Sequence, residues 1–448
     1  MDWPQRRASV YATCRCRSLE RREAVHESGP LQREERSGAA ASVGDHLSEP
    51  APTVPGLAIA ALSLGAFGAA ASARVADPML PALATGYGVG IGTAANVVTL
   101  FTLAYGVFQI VLGPFGDRYG KYRVIGWACM TSAVTALGCA LAPTFATLTL
   151  ARFIAGATCA AIVPLSMAWI GDVLPYNRRQ PVLARFLIGQ MLGFSAGSLL
   201  GGLGAEHFGI RTPFVFLALW FAGAAAIVFV MLRRIHPAGL AQAEDASLAT
   251  LPAGIAYVWQ QRWARIVLVT VFLEGTFMFG AFAFIATHLH RHYGISLSFA
   301  GTLVMLYGAG GIVFAAFSTF LVRRLGEAGL ATAGGALICA MLIVVDATEH
   351  WPLAALAVLV MGTGFYMLHN TLQTNATQMA PEKRGTALSQ FAFCLFVGQS
   401  VGVALAGLIA EHADTDAVLA AGAFGVLAVA LAFAQLRRTR HRRVEFPA

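Results

Sequence analysis

Twelve apolar runs, each about 18 residues or longer, follow one another from residue 57 to residue 436, with short charged turns between them. A helix rising about 1.5 Å per residue needs about 20 such residues to cross a hydrocarbon core of about 30 Å. In lipid a helix also satisfies its own backbone hydrogen bonds, which an isolated strand does not. Only 12% of the chain is charged, against about 25% in a soluble domain, so these runs are not the core of one oversized soluble fold. The sequence predicts an all-α integral membrane protein with 12 transmembrane helices.

The runs cover 57–84, 93–115, 124–142, 145–172, 181–204 and 213–232, then 265–289, 300–321, 329–346, 352–376, 386–410 and 416–436. They divide the chain into a disordered extension at 1–54, a six-helix bundle at 55–235, a cytoplasmic linker at 236–262, a second six-helix bundle at 263–436 and a basic tail at 437–448. The extension mixes Arg, Glu, Ser and Pro and lacks the apolar core of a secretory signal. It reads equally well as a regulatory segment or as an upstream start-site artefact. Bases concentrate in the even-numbered connections, as Arg118, Lys121 and Arg123, Arg178 and Arg179, Arg233 and Arg234, Arg323 and Arg324, and Lys383 and Arg384. The odd-numbered connections hold acids such as Glu206, Asp346, Glu411 and Asp416. By the positive-inside rule both termini are expected in the cytoplasm. The net charge of +8 has the same origin and is not a nucleic-acid patch. Lysine occurs only at 121 and 383 beside an excess of Ala and Gly, a composition that suggests a GC-rich bacterium and hence an inner membrane. Seven cysteines show neither a disulfide framework nor metal-site spacing.

The two groups of six are copies. At a constant offset of 206, Tyr87-Gly88 matches Tyr293-Gly294, Arg118 matches Arg324, Gly120 matches Gly326, Gly156 matches Gly362 and Arg178 matches Arg384. Gly189-Gln190-x-x-Gly193 returns as Gly398-Gln399-x-x-Gly402 at an offset of 209. A parallel six-plus-six duplication is an architecture in which two bundles rock about a site near the midplane.

The turn after the second run reads Gly113-Pro-Phe-Gly-Asp117-Arg118-Tyr-Gly120-Lys121. It resembles the loop signature of the major facilitator superfamily, Gly-x-x-x-Asp-Arg-x-Gly followed by two bases, although Tyr122 holds the second basic place and Arg123 follows it. The resemblance covers about 57–436 and implies secondary transport. Asp117 is placed to accept from the amides of a helix N-terminus, where a negative charge is favoured by about 0.3–1 kcal/mol. The family implies that this helix is the eleventh, and that Asp117, Arg118 and Asp172 form a latch holding the outward-facing state. The alternative is that these charges only set topology.

A charge at the centre of a spanning helix costs about 2.5–3.5 kcal/mol on insertion scales, so those present need a reason. Arg74 and Asp77 share a face of the first helix, where Pro78 and Pro81 remove helical donors and should bend it. Asp77-Pro-x-Leu-Pro resembles the first-helix segment of the superfamily's drug and sugar exporters. Arg152-x-x-x-Gly156 is similar to the fourth-helix motif that the family associates with proton coupling, with Asp77 as the expected partner of Arg152. Glu274, a lone carboxylate among Phe272, Phe277 and Phe279 in an apolar run, is the first choice of proton site. For each, a structural ion pair or hydrogen bond is the alternative. Gln109, Gln190, Tyr366, His369, Asn370, Gln373 and Gln399 add uncharged or neutral polar groups at membrane depth, suited to a ligand in an apolar cavity or to interhelical bonding. His288, His290 and His292 alternate at an outer helix end and read as an interfacial cluster, so no metal is expected. The fifth helix keeps close-packing glycines at 189, 193, 197, 201 and 202, but Ser198 stands where exporters of the family carry proline.

The expected function is secondary transport by alternating access, with proton-coupled efflux of a small organic compound as the leading reading. Proton symport or facilitated uptake of a metabolite is the alternative, and a non-transporting receptor or membrane enzyme is the remote one. No Walker loop, HExxH, GxSxG or paired-cysteine site is present, so neither a nucleotide site nor a catalytic set is expected. The expected partners are the bilayer and a small-molecule substrate. No cofactor is expected beyond the proton gradient, and a monomer is expected.

Overall fold

The computed structural model describes residues 56–174, 176–234 and 251–445. The extension, the connector acids Glu244 and Asp245 and the last residues of the basic tail lie outside the described residues. Among the described residues, eleven helices are long and apolar enough to cross a membrane. Spans 1 to 7 are Gly56–Tyr87, Ile91–Tyr119, Lys121–Leu141, Phe145–Val173, Pro181–His207, Thr212–Leu232 and Arg262–Tyr293. Leu297–Ala347 follows, then Trp351–Gln378, Pro381–His412 and Thr415–Arg440.

The 51-residue element Leu297–Ala347 is two spans. Straight, it would reach about 76 Å, more than twice the core thickness. Gly326 interrupts it with φ 63° and ψ 178°, a left-handed value that suits glycine. Its ends return to one another: Tyr293 Oη donates to Thr348 O at 2.6 Å, and the rings of Phe299 and Trp351 lie 5.0 Å apart. Span 8 therefore precedes Gly326, span 9 follows it, and the last three helices are spans 10 to 12.

The duplication is written into the contacts. Tyr87 Oη donates to Ala142 O as Tyr293 Oη does to Thr348 O, both partners shifted by 206. A Cβ on Gly156 would overlap the backbone of Phe101, and one on Gly362 that of Tyr307, again 206 apart. Spans 1 and 5 touch through Gly193 against Phe67, and spans 7 and 11 through Gly402 against Thr276, both shifted by 209.

Two spans are broken where the site lies. The first α-helix stops at Arg74, a 3₁₀ turn runs Asp77–Met79, and a second helix starts at Leu80, as Pro78 and Pro81 require. In span 7 a π-helical stretch, Gly275–Phe279, begins directly after Glu274. Such widened turns are frequent at functional sites. The linker expected at 236–262 carries a helix, Leu251–Gln260, in its second half. Its Tyr257 Oη donates to Glu382 Oε2 at 2.9 Å, which ties it to the start of span 11.

The bundles meet along spans 5 and 8 and along spans 2 and 11. Gly202 lies against Leu297 and Ser298, Gly301 against Ser198, and Ser195 Oγ donates to Met305 O at 3.1 Å. Glu206 Oε2 accepts from the Ser298 amide at 2.7 Å. On span 2 the positions 92, 99, 106 and 113 recur every seven residues and share a face. Gly92 abuts Gly407, Thr99 O accepts from Ser400 Oγ at 3.0 Å and Gly106 abuts Phe393 and Phe396, but nothing lies within 4 Å of a Cβ built on Gly113. The seal between spans 2 and 11 sits at the end bearing the odd-numbered connections and no longer reaches Gly113, toward the other end.

Candidate functional site

Two buried carboxylates face each other across the molecule through a chain of rings. In the first bundle Asp77 Oδ2 accepts from Arg74 Nη1 at 3.4 Å, with both side chains buried. The break after Arg74 turns this pair toward the second bundle. The Arg74 guanidinium lies 4.3 Å from the centre of the Phe279 ring, 5.0 Å from Phe282 and 5.4 Å from Phe194. A cation over an aromatic face gains about 0.5–2 kcal/mol, most when desolvated. From Phe282 the rings continue to Tyr307 at 4.6 Å, to Phe365 at 5.7 Å and to His369, stacked on Phe365 at 5.0 Å. His369 Nδ1 then meets Glu274 Oε2 at 2.9 Å.

Glu274 is wholly buried, whereas the His369 side chain keeps 15% of its surface open. The imidazole is thus the exposed end of the pair. Glu274 Oε1 and Asp77 Oδ1 are buried with no hydrogen-bond partner among the described residues. A buried unpartnered carboxylate oxygen is costly when the group is ionised and has room for a proton when it is neutral. The widened turn after Glu274 is held by close contacts of Gly275 and Gly398 with the facing backbones of spans 11 and 7.

Arg152 takes other partners than the expected Asp77. Its Nε donates to Val97 O at 3.2 Å, Nη1 to Ser72 Oγ at 3.3 Å and Nη2 to Ser72 O at 3.0 Å, with Phe101 beneath it at 4.1 Å. Ser72 O belongs to span 1, whose helix stops two residues on at Arg74, and Val97 O to span 2, so the guanidinium fork ties spans 1, 2 and 4 together. Arg152→Lys is expected to lose about 1.5–3 kcal/mol, since an ammonium cannot reproduce the planar fork. Thermal unfolding in detergent measures it, and an unchanged melting temperature would remove this structural role.

The turn residues gather within the first bundle. Lys121 Nζ contacts Asp117 Oδ1 at 2.6 Å and Asp172 Oδ2 at 2.8 Å, and Arg118 lies 5.6 Å from the Tyr119 ring. Asp117 is thus paired inside its own bundle in this conformation, rather than with the N-terminus of span 11. Gly120 supplies the left-handed turn with φ 88°. These charges are partly exposed, so Lys121→Gln is expected to cost no more than about 1 kcal/mol of stability. A larger loss in a thermal melt would contradict that.

The remaining polar residues scatter. Gln109 and Gln399 are buried with unpartnered amide atoms, Gln190, Tyr366 and Asn370 are half-buried, and Gln373 is exposed. Sequence reasoning missed Phe282, Tyr307 and Phe365, which carry the ring chain. It also missed Gln390, buried on span 11 with neither amide atom partnered. An amide inside an apolar run is the signal that marked Gln399, and it applied equally to Gln390.

Comparison with known proteins decides the family. Residues 62–403 match the sequence profile of the Major Facilitator Superfamily. The chain belongs to that superfamily. A Bacillus subtilis MFS-type transporter, YceJ, is 24% identical over 74% of this chain and 84% of its own length. A bicyclomycin resistance protein homolog of Haemophilus influenzae is 26% identical over 70% of this chain and 79% of its own. The crystal structure of the nucleoside transporter NupG superposes with a TM-score of 0.71 at 15% identity, covering 84% of this chain and 98% of that one, a likeness of fold. As a superfamily member this chain is a multi-pass membrane transporter, with the two-bundle helical fold described above.

Proposed function

We propose that this transporter expels a small organic compound in exchange for protons, with Glu274 carrying the proton. The observation that carries the reading is the Glu274–His369 pair: a fully buried mid-span carboxylate, one oxygen unpartnered, joined at 2.9 Å to an imidazole that keeps part of its surface open. A proton arriving at His369 has one hydrogen bond to travel to Glu274. Arg74 and Asp77 form the opposite wall of the site. Their pair and the Phe279, Phe282 and Phe365 faces suit a compound with apolar body and cationic or polar groups. Export is supported by the Haemophilus relative, a bicyclomycin resistance protein homolog. The basic even-numbered connections support a reading with both termini on the cytoplasmic side of a bacterial inner membrane. The sealed end is then the outer one and the conformation is inward-facing. Lys121, Asp117 and Asp172 would re-pair with span 11 when the inner end closes.

The test is proton movement in proteoliposomes with an acidic lumen and an internal pH dye, challenged with lipophilic cations, sugars and amino acids. Exchange is expected to release luminal protons when one of these compounds is added outside. Symport would carry protons in the same direction as the compound. If labelled compounds equilibrate and no protons move, the protein is a facilitator.

A further inference from the structure

Away from the Glu274–His369 pair, at the end bearing the odd-numbered connections, three spans bring together a histidine and two aspartates. His288 of span 7, Asp346 of span 9 and Asp416 of span 12 each offer one ligand atom, all within 4.8 Å of one another. His288 is 1% exposed. Its Nδ1 lies 3.2 Å from Asp416 Oδ1 and 3.1 Å from Thr415 Oγ1, while its Nε2 and the Oδ1 of Asp346 are buried with no partner among the described residues. The neighbouring histidines part company: His290 Nδ1 bonds Ile295 O at 2.6 Å, whereas His292, one turn on from His288, stacks on it at 5.2 Å. On a helix with 100° per residue, positions 288 and 292 share a face and 290 does not.

The fold does not demand this cluster. At the offset of 206 the first bundle carries Ala82 where the second has His288 and Ala140 where it has Asp346. Asp346 is also badly placed as a free anion. It is the penultimate residue of the helix Leu297–Ala347, whose C-terminal end repels negative charge by about 0.3–1 kcal/mol. A cation between Asp346, Asp416 and the imidazole removes that repulsion and gives the buried Asp346 Oδ1 a partner.

We infer that His288, Asp346 and Asp416 form a binding site for a divalent transition metal of the zinc or manganese kind, which staples the outer ends of spans 7, 9 and 12. One imidazole with two carboxylates is a mixed nitrogen and oxygen set that suits these ions better than calcium or magnesium. Tetrahedral zinc, with bonds of about 2.0–2.2 Å, places its ligand atoms about 3.3 Å apart. The cluster therefore closes by no more than about 1.5 Å on binding. Three protein ligands leave a fourth position for water or for His292. Asp416, 59% exposed, gives the ion its way in.

The experiment uses the purified full chain in detergent, stripped with chelator, and follows thermal unfolding and equilibrium binding with zinc, manganese, calcium or magnesium. One ion per chain is expected at this site, with a rise in melting temperature for zinc or manganese. Asp416→Asn, at an exposed position, should weaken that binding at least tenfold and cancel the rise without lowering the metal-free melting temperature. His288→Ala should do the same to binding. Cobalt substituted for zinc should give the intense visible absorption of a tetrahedral site in the wild type only. Equal zinc affinity in the wild type and Asp416→Asn would overturn the site. Calcium or magnesium binding as tightly as zinc would also overturn it, leaving only an acidic surface.

Discussion

Glu274→Gln is expected to abolish proton-driven movement of substrate while leaving a folded chain that still exchanges substrate for substrate. Glutamine keeps the shape of the side chain, and its carbonyl oxygen still accepts from His369 Nδ1 when that nitrogen bears hydrogen, so span 7 should pack as before. What disappears is the change of charge. An ionised carboxylate at membrane depth costs about 2.5–3.5 kcal/mol on insertion scales, and that penalty bars the unloaded, deprotonated site from switching states. With about 1.4 kcal/mol per factor of ten, the bar is worth roughly a hundredfold, and the ratio of coupled to uncoupled turnovers should fall by that much. Counterflow of a labelled compound at equal pH, run beside dye quenching under a pH gradient, separates the two properties. Loss of both would make Glu274 structural; retention of both would place the proton elsewhere.

The difference between what the sequence showed and what it hid follows from the range of each interaction. Spans, turns and the offset of 206 are local or periodic, and the structure repeats them down to the Tyr87 and Tyr293 hydrogen bonds. The two proline positions in span 1 located a break because Pro acts on its own helix. Glu274 stood out because a lone carboxylate in an apolar run is rare. Its partner is 95 residues away on span 10, and no periodicity links the two. The same limit explains Arg152. Sequence chemistry identified a buried cation that needed acceptors, but the acceptors are backbone carbonyls of Ser72 and Val97, which every residue carries and no side-chain pattern marks. The metal-site histidine was visible as one of three. Which of the three mattered depended on Asp346 and Asp416, brought in by spans 9 and 12.

The glycines separate into two kinds, and replacing one of each should give opposite results. Gly156 packs inside the first bundle, where a Cβ would overlap the backbone of Phe101. Spans 2 and 4 stay together in every conformation of a rocking bundle, so the overlap has no relief and Gly156→Leu should prevent folding to a monodisperse protein. Gly202 packs between the bundles, where a Cβ would overlap the Leu297 carbonyl. That contact exists only while the odd-connection end is sealed. Gly202→Leu is therefore expected to fold, and to shift the population away from the sealed state seen here. Overpacking costs about 1–3 kcal/mol, which corresponds to roughly a 5- to 150-fold change in the equilibrium between states. A single cysteine introduced at Ser400, buried in the seal where the native Oγ donates to Thr99 O, should then react faster with a membrane-impermeant thiol reagent in the Gly202→Leu background by a similar factor. Unchanged reactivity in a folded variant would mean that the bundles do not part at this end, and rocking about the central site would have to be abandoned.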